Sequence, residues 1–244
     1  MKKKPLFTII TVVFNGESSI RDTIKSVINQ NFNDFEYIVW DGLSTDKTLD
    51  VINKYKSQIN IIKSKKDSGI YDAMNRAVKI SSGRYILFLN SGDKLYSTNV
   101  LSMLYNKLNS NIDFNIIYGD VVLDDSTYIK SKNFESIIYG MPFCHQSVFV
   151  HYSLFQTNSF NTNFKVCSDY DFFLKIYSLL KIKYLKVDFP VSIFELGGLS
   201  YKLNIYLEYF NIIKQYYTVF DYVYYFHFSK SVYSQLKRKI KRFF

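Results

Sequence analysis

The sequence contains little cysteine, proline and glycine, and these scarcities narrow the class of protein. Among 244 residues there are 2 Cys, 3 Pro and 9 Gly. Two cysteines are too few for the disulfide framework of a small secreted domain, and they suit a reducing compartment. No linker rich in proline and glycine divides the chain. We therefore expect one continuous sheet rather than two separate domains.

The chain also lacks a long apolar run. A membrane-spanning helix needs about 18 or more apolar residues, and no such stretch occurs. The start, Met1–Phe14, superficially resembles a signal peptide. Its apolar run is short, however, no small-residue cleavage site follows, and the run leads directly into a predicted strand–helix unit. We therefore expect a cytoplasmic protein, with an apolar fraction of 48% that supports a sizeable core.

Acidic residues are absent from the C-terminal end. Residues 230–244 contain six Lys or Arg and no Asp or Glu, and residues 201–228 contain twelve aromatic residues. The net charge of the whole chain is +10. A basic, aromatic-rich end indicates an anionic partner surface, either lipid head groups or nucleic acid. The alternative is a helical C-terminal extension whose basic end is simply solvated.

Four polar residues recur at a constant spacing of 26, namely Asn15, Asp41, Asp67 and Asp93. Each follows an apolar run and precedes a helix-like segment; the runs are residues 7–14, 35–40, 60–62 and 85–89. This pattern is typical of repeated strand–helix units, whose parallel strands end at one edge of a sheet. Ligands bind outside that edge. Because three carboxylates repel one another, we expect a cation or a donor-rich ligand among them.

The pattern changes after Asp93. Helical signals cover residues 19–30, 47–55, 70–80, 98–108 and 169–180, with a capping box at Ser19–Asp22 and a left-handed C-terminal glycine at Gly83. Strand signals in the second half cover residues 115–118, 121–123, 128–130, 147–150 and 184–189. The sequence therefore predicts a parallel half followed by a mixed half.

Four segments together resemble the motifs of family 2 glycosyltransferases, in the same order and at similar spacing. They are Thr11–Asn15, Trp40–Asp46, Asp67–Asn75 and Phe88–Asp93. The resemblance implies a GT-A fold, which is a single α/β/α nucleotide-binding domain with a mostly parallel sheet, here over residues 1–200. Residues 201–244 then form a helical extension. It further implies a nucleotide-sugar donor, usually a UDP-sugar, a divalent metal, Mn²⁺ or Mg²⁺, and transfer with inversion at the anomeric carbon.

The resemblance also assigns roles in the first half of the chain. It implies that the nucleotide pocket includes Thr11, Val13, Asn15, Asp41 as partner of the uracil base, Asp67 and Asn75. Asp93 corresponds to the second acid of a metal-binding Asp-x-Asp. The chain departs from the family here, because Asn90–Asp93 has one carboxylate where many members have two or three. Metal use is still expected, since Mg²⁺ needs only one or two protein carboxylates when phosphates supply the remaining ligands.

In the second half, Val166–Lys175 resembles the acidic motif that opens a helix and supplies the catalytic base. Asp169 matches the base. The resemblance further implies donor or acceptor contacts for Asp72, Asp171, His145 and Gln146. Structural alternatives stand beside these roles: Asp169 as charge in a first helical turn, His145 as a hydrogen-bonded structural residue, and Asp72 and Asn75 as a solvated helix start.

The predicted function is therefore an inverting glycosyltransferase of cell-surface polysaccharide synthesis. Its acceptor is a saccharide or a lipid-linked saccharide, and its C-terminus attaches to the inner face of the cell membrane. No nucleic acid partner is expected, and the oligomeric state is left open. One alternative is a basic membrane- or nucleic-acid-binding module with a degenerate pocket. Another is a sugar nucleotidyltransferase, which usually needs a glycine-rich loop bearing Lys or Arg after the first strand; Asn15–Ser19 has no such base.

Overall fold

A computed structural model of the chain describes residues 4–108, 114–179, 181–197, 205–218 and 221–240. Within these ranges, nine strands form one sheet. The strands are β1 (Phe7–Val13), β2 (Phe35–Asp41), β3 (Ile61–Ser64), β4 (Tyr85–Phe88), β5 (Lys94–Leu95), β6 (Ile116–Leu123), β7 (Tyr128–Ile129), β8 (Val148–His151) and β9 (Tyr184–Phe194). The α-helices are α1 (Ile20–Ile28), α2 (Thr48–Asn53), α3 (Ile70–Ile80), α4 (Val100–Lys107), α5 (Ser153–Thr157), α6 (Ser168–Leu179), α7 (Ile205–Tyr216) and α8 (Tyr222–Ile240). Short 3-10 helices cover Lys56–Gln58, Phe134–Tyr139 and His145–Ser147.

The sheet combines a parallel half and a mixed half, as the sequence predicts. Its strand order is β3-β2-β1-β4-β8-β6-β9-β5, with β7 beside β6. The first four strands pair in parallel, so their carboxyl ends lie at one edge. β8 is antiparallel to both β4 and β6, whereas β9 is parallel to β6. The predicted α/β architecture of the GT-A type is confirmed.

Hydrophobic cores lie on both faces of the sheet because both faces of the central strands are apolar. In β1, Ile10 and Val12 contribute to one core, and Phe7 and Ile9 contribute to the other. The first core contains the apolar sides of α3, α6 and α7, and the second contains those of α1, α2 and α4. Fully buried strands of this kind are expected when helices cover both faces.

The second half of the sheet differs in detail from the predicted strands. Residues 115–118 and 121–123 belong to one strand, β6, whose register with β9 shifts on both sides of Asp120. β9 continues past the predicted end at residue 189 and through Pro190, as far as Phe194. Pro190 pairs with Asp120 inside this irregularity. A strand tolerates proline there because the ladder is already interrupted.

Two predicted helix-end motifs are wrong. The Ser19 side chain makes no capping hydrogen bond and instead pairs with the Ser91 hydroxyl at 2.8 Å. Helix α3 ends at an extended Ser81, and Gly83 does not adopt a positive φ. A Cβ atom at Gly83 would lie 2.7 Å from the backbone of Phe7. Glycine is required there for close approach to β1 rather than for a left-handed turn.

The predicted helical character of the C-terminal extension is confirmed over α7 and α8. Ile212 and Ile213 of α7 are fully buried in the core that also contains α3 and α6. The predicted boundary after residue 200 lies outside the described ranges and stays a prediction. Among the helices that the structure describes, none is both long enough and apolar enough to cross a bilayer.

Candidate active site

A cavity of about 390 Å³ opens at the carboxyl edge of the parallel strands. It lies between the residues that follow β4, the start of α3, the turn before β8, the start of α6 and the end of β9. The polar side chains that line it are Tyr71, Asn90, Ser91, Asp93, His145, Gln146, Lys165, Asp169 and Glu195, together with Cys144. The sequence-predicted residues Asp93, His145, Gln146 and Asp169 are thus brought together.

Asp169 lies in the first turn of α6, facing the cavity. Its Oδ1 accepts hydrogen bonds from the Tyr71 hydroxyl at 3.2 Å and from the Tyr170 backbone N–H at 2.9 Å. Burial raises the pKa of this carboxyl, although His145 and the hydrogen bonds act in the opposite direction. A carboxylate with a raised pKa is a stronger proton acceptor at neutral pH, as general-base chemistry requires.

His145 faces Asp169 across the cavity wall. Its Nδ1 lies 3.7 Å from Asp169 Oδ2, which is too far for a hydrogen bond. Its ring stacks on Phe88 with the centroids 5.4 Å apart. Neither ring nitrogen has a hydrogen-bond partner among the described residues, and burial lowers the pKa of the imidazole. Both imidazole nitrogens are therefore buried and unpartnered beside the Asp169 carboxylate.

Asp93 is buried below the cavity beside a second carboxylate. Its Oδ1 accepts the backbone N–H of Glu195 at 3.0 Å, and burial raises its pKa to about 7. Gly92, between Ser91 and Asp93, has a φ of +103°. A Cβ atom there would lie 1.8 Å from Glu195 Oε2, so only glycine leaves room for this carboxylate. Glu195 thus places a second carboxylate beside the single acid of Asn90–Asp93.

The oxygen atoms around Asp93 suit a hard divalent cation. The Asn90 Oδ1 atom is buried and has no partner within the described part of the chain. Together with the carboxylates of Asp93 and Glu195, it belongs to the ligand type that Mg²⁺ and Mn²⁺ prefer. No group of three or more His, Cys, Asp or Glu among the described residues could hold a metal by itself. A cation here would therefore need further oxygen ligands from a substrate.

A second cluster of predicted residues surrounds the loop after β2. Buried Asp41 accepts hydrogen bonds from the backbone N–H of Ser44 at 3.1 Å, from its hydroxyl, and from Ser64 Oγ at 2.6 Å. Asn15, with a φ of +51°, accepts the Thr45 N–H at 2.8 Å. The structure thus brings Asn15 and Asp41 to the same loop.

Asp67 lies against that loop as well. Its Oδ2 is 2.9 Å from where a Cβ atom would stand at Gly42. The cluster adjoins the cavity at Gly16, the residue after Asn15. A Cβ atom at Gly16 would lie 2.8 Å from the hydroxyl of Ser91, which lines the cavity. Asn15, Asp41 and Asp67 therefore form a polar cluster next to the cavity that contains Asp93 and Asp169.

Thr11, Val13 and Asn75 point away from the cavity. The Thr11 hydroxyl pairs with the Tyr37 hydroxyl at 3.0 Å, and the Val13 side chain lies in the core that contains α1. The Asn75 amide exchanges two hydrogen bonds of 2.9 Å with the backbone of Phe160. Contacts of these side chains with a nucleotide stay predictions, and the observed bonds orient β1 and α3.

Asp72 and Asp171 are also engaged elsewhere. Asp72 forms an ion pair with Arg76 at 2.9 Å and accepts the Ser68 N–H at 2.9 Å, which orders the turn before α3. Asp171 accepts the Tyr216 hydroxyl at 3.0 Å and so joins α6 to α7. Their predicted donor or acceptor contacts stay predictions.

Three residues at or behind the site were not predicted from sequence. They are Tyr71, Glu195 and Glu208, whose carboxylate accepts three backbone N–H groups ahead of Asp169. Glu195 could have been found, because an acid that directly follows a strand at this edge fits the rule that located Asp41. The predicted end of the last strand at residue 189 concealed it. Glu208 has no local signal, since it lies about forty residues from its partners.

Comparison with known proteins identifies relatives over most of the chain. The family model for glycosyl transferase family 2 matches residues 8–177. A PGL/p-HBAD biosynthesis glycosyltransferase of Mycobacterium bovis is 32% identical over 204 residues, covering 80% of this chain and 79% of the relative. The Escherichia coli protein WfaP, named as a UDP-Glc:α-D-GlcNAc-diphosphoundecaprenol β-1,3-glucosyltransferase, is 39% identical over 101 residues, which is 41% of this chain and 40% of that protein.

Solved structures share the fold at lower identity. Staphylococcus aureus TarS in complex with UDP-GlcNAc superposes with a TM-score of 0.73 and 19% identity, over 86% of this chain. The chain spans 65% of the TarS chain. The mannosyltransferase PcManGT of Pyrobaculum calidifontis, in complex with GDP-Man and Mn²⁺, superposes with a TM-score of 0.63 and 14% identity over 95% of this chain and 65% of that chain. At these identities the likeness concerns the fold.

Proposed function

Because the chain belongs to glycosyl transferase family 2, we propose that it transfers a sugar from a UDP-sugar to a hydroxyl group of a saccharide or lipid-linked saccharide. The product is a cell-surface polysaccharide or glycolipid. One observation carries the proposal: the partly buried Asp169 carboxylate, with a raised pKa, faces a cavity at the ligand-binding edge of the sheet. The named relatives are glycosyltransferases of such pathways, which supports the same conclusion.

The nucleotide binds at the polar cluster formed by Asn15, Asp41 and Asp67. A uracil base offers an N–H that a carboxylate accepts, and the Asp41 carboxylate already accepts hydrogen bonds from the hydroxyls of Ser44 and Ser64. Thr11 and Val13 contribute backbone atoms rather than side chains. The UDP-GlcNAc complex of TarS and the UDP-Glc donor in the name of WfaP support a uridine nucleotide.

Asp93 and Glu195, with Asn90 Oδ1, would hold Mn²⁺ or Mg²⁺, and the donor diphosphate would supply further oxygen ligands. The buried, unpartnered Asn90 oxygen and the close approach of Glu195 to Gly92 support this assignment. When bound, such an ion stabilises the negative charge that develops on a leaving diphosphate. The Mn²⁺ in the PcManGT complex is consistent with a metal in this fold.

Asp169 is the general base. It removes the proton from the acceptor hydroxyl while the acceptor oxygen forms its bond to the anomeric carbon. The bond from that carbon to the diphosphate oxygen breaks, and its electron pair leaves with UDP. A single displacement of this kind inverts the configuration at the anomeric carbon. A positioned base contributes about 10²–10⁴-fold to the rate.

The exposed face of α8 binds an anionic membrane surface, where a lipid-linked acceptor is presented. Tyr222, Tyr225, Phe228 and Val232 follow one another at helical spacing, and the exposed fractions of the two tyrosines are 72% and 57%. The opposite face contains buried His227 and Ser231. Basic residues follow at positions 237–239. An aromatic stripe flanked by cations suits the head-group region of a bilayer.

Calorimetric titration of UDP, with and without Mn²⁺, tests the nucleotide and metal assignments. The wild-type protein is expected to bind UDP more tightly with Mn²⁺. Asp93→Ala should weaken the Mn²⁺-dependent binding by at least about tenfold, because a direct metal ligand is lost. Asp188→Ala is the matched control, since Asp188 is 88% exposed and outside the cavity.

Two results would contradict the proposal. Equal Mn²⁺-dependent affinity in the wild type and Asp93→Ala would remove Asp93 from the metal site. Absence of UDP binding in every condition, together with strongly salt-dependent RNA binding, would favour a basic binding module with a degenerate pocket.

A further inference from the structure

The Glu208 carboxylate of α7 binds the segment of residues 165–167, which directly precedes α6. Glu208, in the first turn of α7, accepts the backbone N–H of Lys165 with Oε1 at 3.0 Å. Its Oε2 accepts the N–H groups of Val166 at 3.0 Å and Cys167 at 2.9 Å. Three consecutive amides therefore converge on one side chain. Hydrogen bonds to an ionised acceptor are stronger than those between neutral groups.

The segment that Glu208 holds is also a wall of the cavity. Lys165 and Val166 line it, and α6 begins immediately afterwards at Ser168. The Val166 carbonyl accepts the Tyr71 hydroxyl at 2.5 Å, and the same hydroxyl donates to Asp169 at 3.2 Å. A displacement of residues 165–167 would therefore move both Asp169 and the tyrosine that orients it.

One further contact from α7 reaches this segment, a hydrogen bond of 3.8 Å that the Cys167 thiol donates to the Ile205 carbonyl. The contacts between α7 and α6 lie outside it: the Tyr209 ring packs against the tilted Tyr170 ring with the centroids 4.2 Å apart, and Tyr216 donates to Asp171 at 3.0 Å. Buried Ile212 and Ile213 anchor α7 in the core. These contacts hold α7 in place, so Glu208 presents its carboxylate from a fixed support.

We propose that Glu208 is a positioning residue for Asp169, which makes α7 part of the catalytic machinery rather than an appendage. The proposal rests on the function proposed above for Asp169. Glu208 does not line the cavity, so it acts on the site through the residues 165–167 that it holds. It fixes where the base stands relative to the acceptor hydroxyl. Removing its charge should affect the rate of transfer and leave nucleotide binding intact.

The experiment compares Glu208→Gln with Tyr216→Phe. The first variant retains size but replaces one acceptor oxygen by a donor group. The second removes one hydrogen bond between the same two helices, away from residues 165–167. Three quantities are measured: hydrogen–deuterium exchange of the amides of residues 165–167, UDP affinity, and kcat and KM for a UDP-sugar across pH. Glu208→Asp, which keeps the charge with a shorter reach, replaces Glu208→Gln if the latter does not fold.

Glu208→Gln is expected to accelerate exchange of the three amides and to lower kcat by about tenfold to a hundredfold, since a misplaced catalytic group costs rate steeply. UDP affinity should remain within about twofold. A base released from its buried position has a pKa nearer its ordinary value, so the acidic limb of the kcat profile should move to lower pH. Tyr216→Phe should leave the exchange of these amides and the pH profile unchanged.

Glu208→Gln with the same amide exchange and the same kcat as Tyr216→Phe would overturn the inference. Failure of the proposed function itself would look different. The wild type would then turn over no UDP-sugar, whereas the exchange measurement would still report whether Glu208 holds residues 165–167.

Discussion

Burial shifts the pKa of Asp93, Asp169 and His145 in the cavity, and each shift favours the neutral form. It raises the pKa of Asp93 to about 7, raises that of Asp169, and lowers that of His145. Neutral forms cost less to bury than ions do. A cation that enters the cavity would lower the pKa of the neighbouring carboxyl groups and so favour their ionised form.

A pH dependence of metal binding follows from Asp93. Its pKa of about 7 means that below this pH a proton must leave before a cation binds. The affinity for Mn²⁺ in the presence of UDP should therefore rise with pH through about 7 and level off above it. Calorimetry at about pH 6, 7 and 8 measures this dependence. In Asp93→Asn the rise should disappear, and a flat profile in the wild type would contradict the assignment.

At this scale the sequence predicted the residues that belong to local motifs. Asp93, His145 and Asp169 each follow a strand or begin a helix, so their place at the edge could be inferred. The orientation of Thr11 could not, because alternation along a strand fully buried on both faces does not distinguish the two sides. Glu195 could be inferred only with the correct end of β9 at Phe194. Glu208 could not be inferred at all, since its nearest partner lies 41 residues away along the chain.

At the scale of elements, the parallel half was predictable because each of its strands is followed by its own helix. The mixed half was less so. The sequence predicts two strands on either side of Gly119–Asp120. In the structure β6 continues past these residues, because it pairs with β9 on both sides of the register shift. The predicted end of β9 at residue 189 likewise overlooked that proline is tolerated where a ladder is already broken.

The α8 surface gives a prediction about membranes. The triple variant Tyr222→Ser, Tyr225→Ser, Tyr233→Ser removes three aromatic side chains of α8 that are each more than half exposed. Its flotation with vesicles that contain anionic lipid should fall to a small fraction of the wild-type level, because the apolar and interfacial contacts are lost. Thermal unfolding should be little changed, since these side chains are exposed. Deleting residues 201–244 is a poorer experiment, because it removes buried Ile212 and Ile213.

The flotation test has one control and one result that would contradict it. Vesicles of neutral lipid should bind the wild type more weakly, since the chain carries a net charge of +10. Equal flotation of the wild type and the triple variant would show that α8 is not the membrane-binding surface.

At the scale of the whole molecule, one sheet places the polar cluster of Asn15, Asp41 and Asp67 beside the cavity that contains Asp169. Strands β1 to β4 deliver Asn15, Asp41, Asp67 and Asp93 to one edge, and the mixed half contributes Asp169 from the other side of the cavity. The C-terminal helices share a core with α3 and α6. The helix proposed to contact the membrane, α8, therefore packs with its buried face against the core that also contains α6.

Asp169→Asn tests directly whether Asp169 is the general base of sugar transfer. The measurement is the rate of UDP release from a UDP-sugar in the presence of acceptor, alongside the affinity for UDP. In this variant we expect turnover to fall by about 10²-fold or more while UDP affinity is retained, because only the proton acceptor is removed. Near-normal turnover in this variant would show that Asp169 is not the general base.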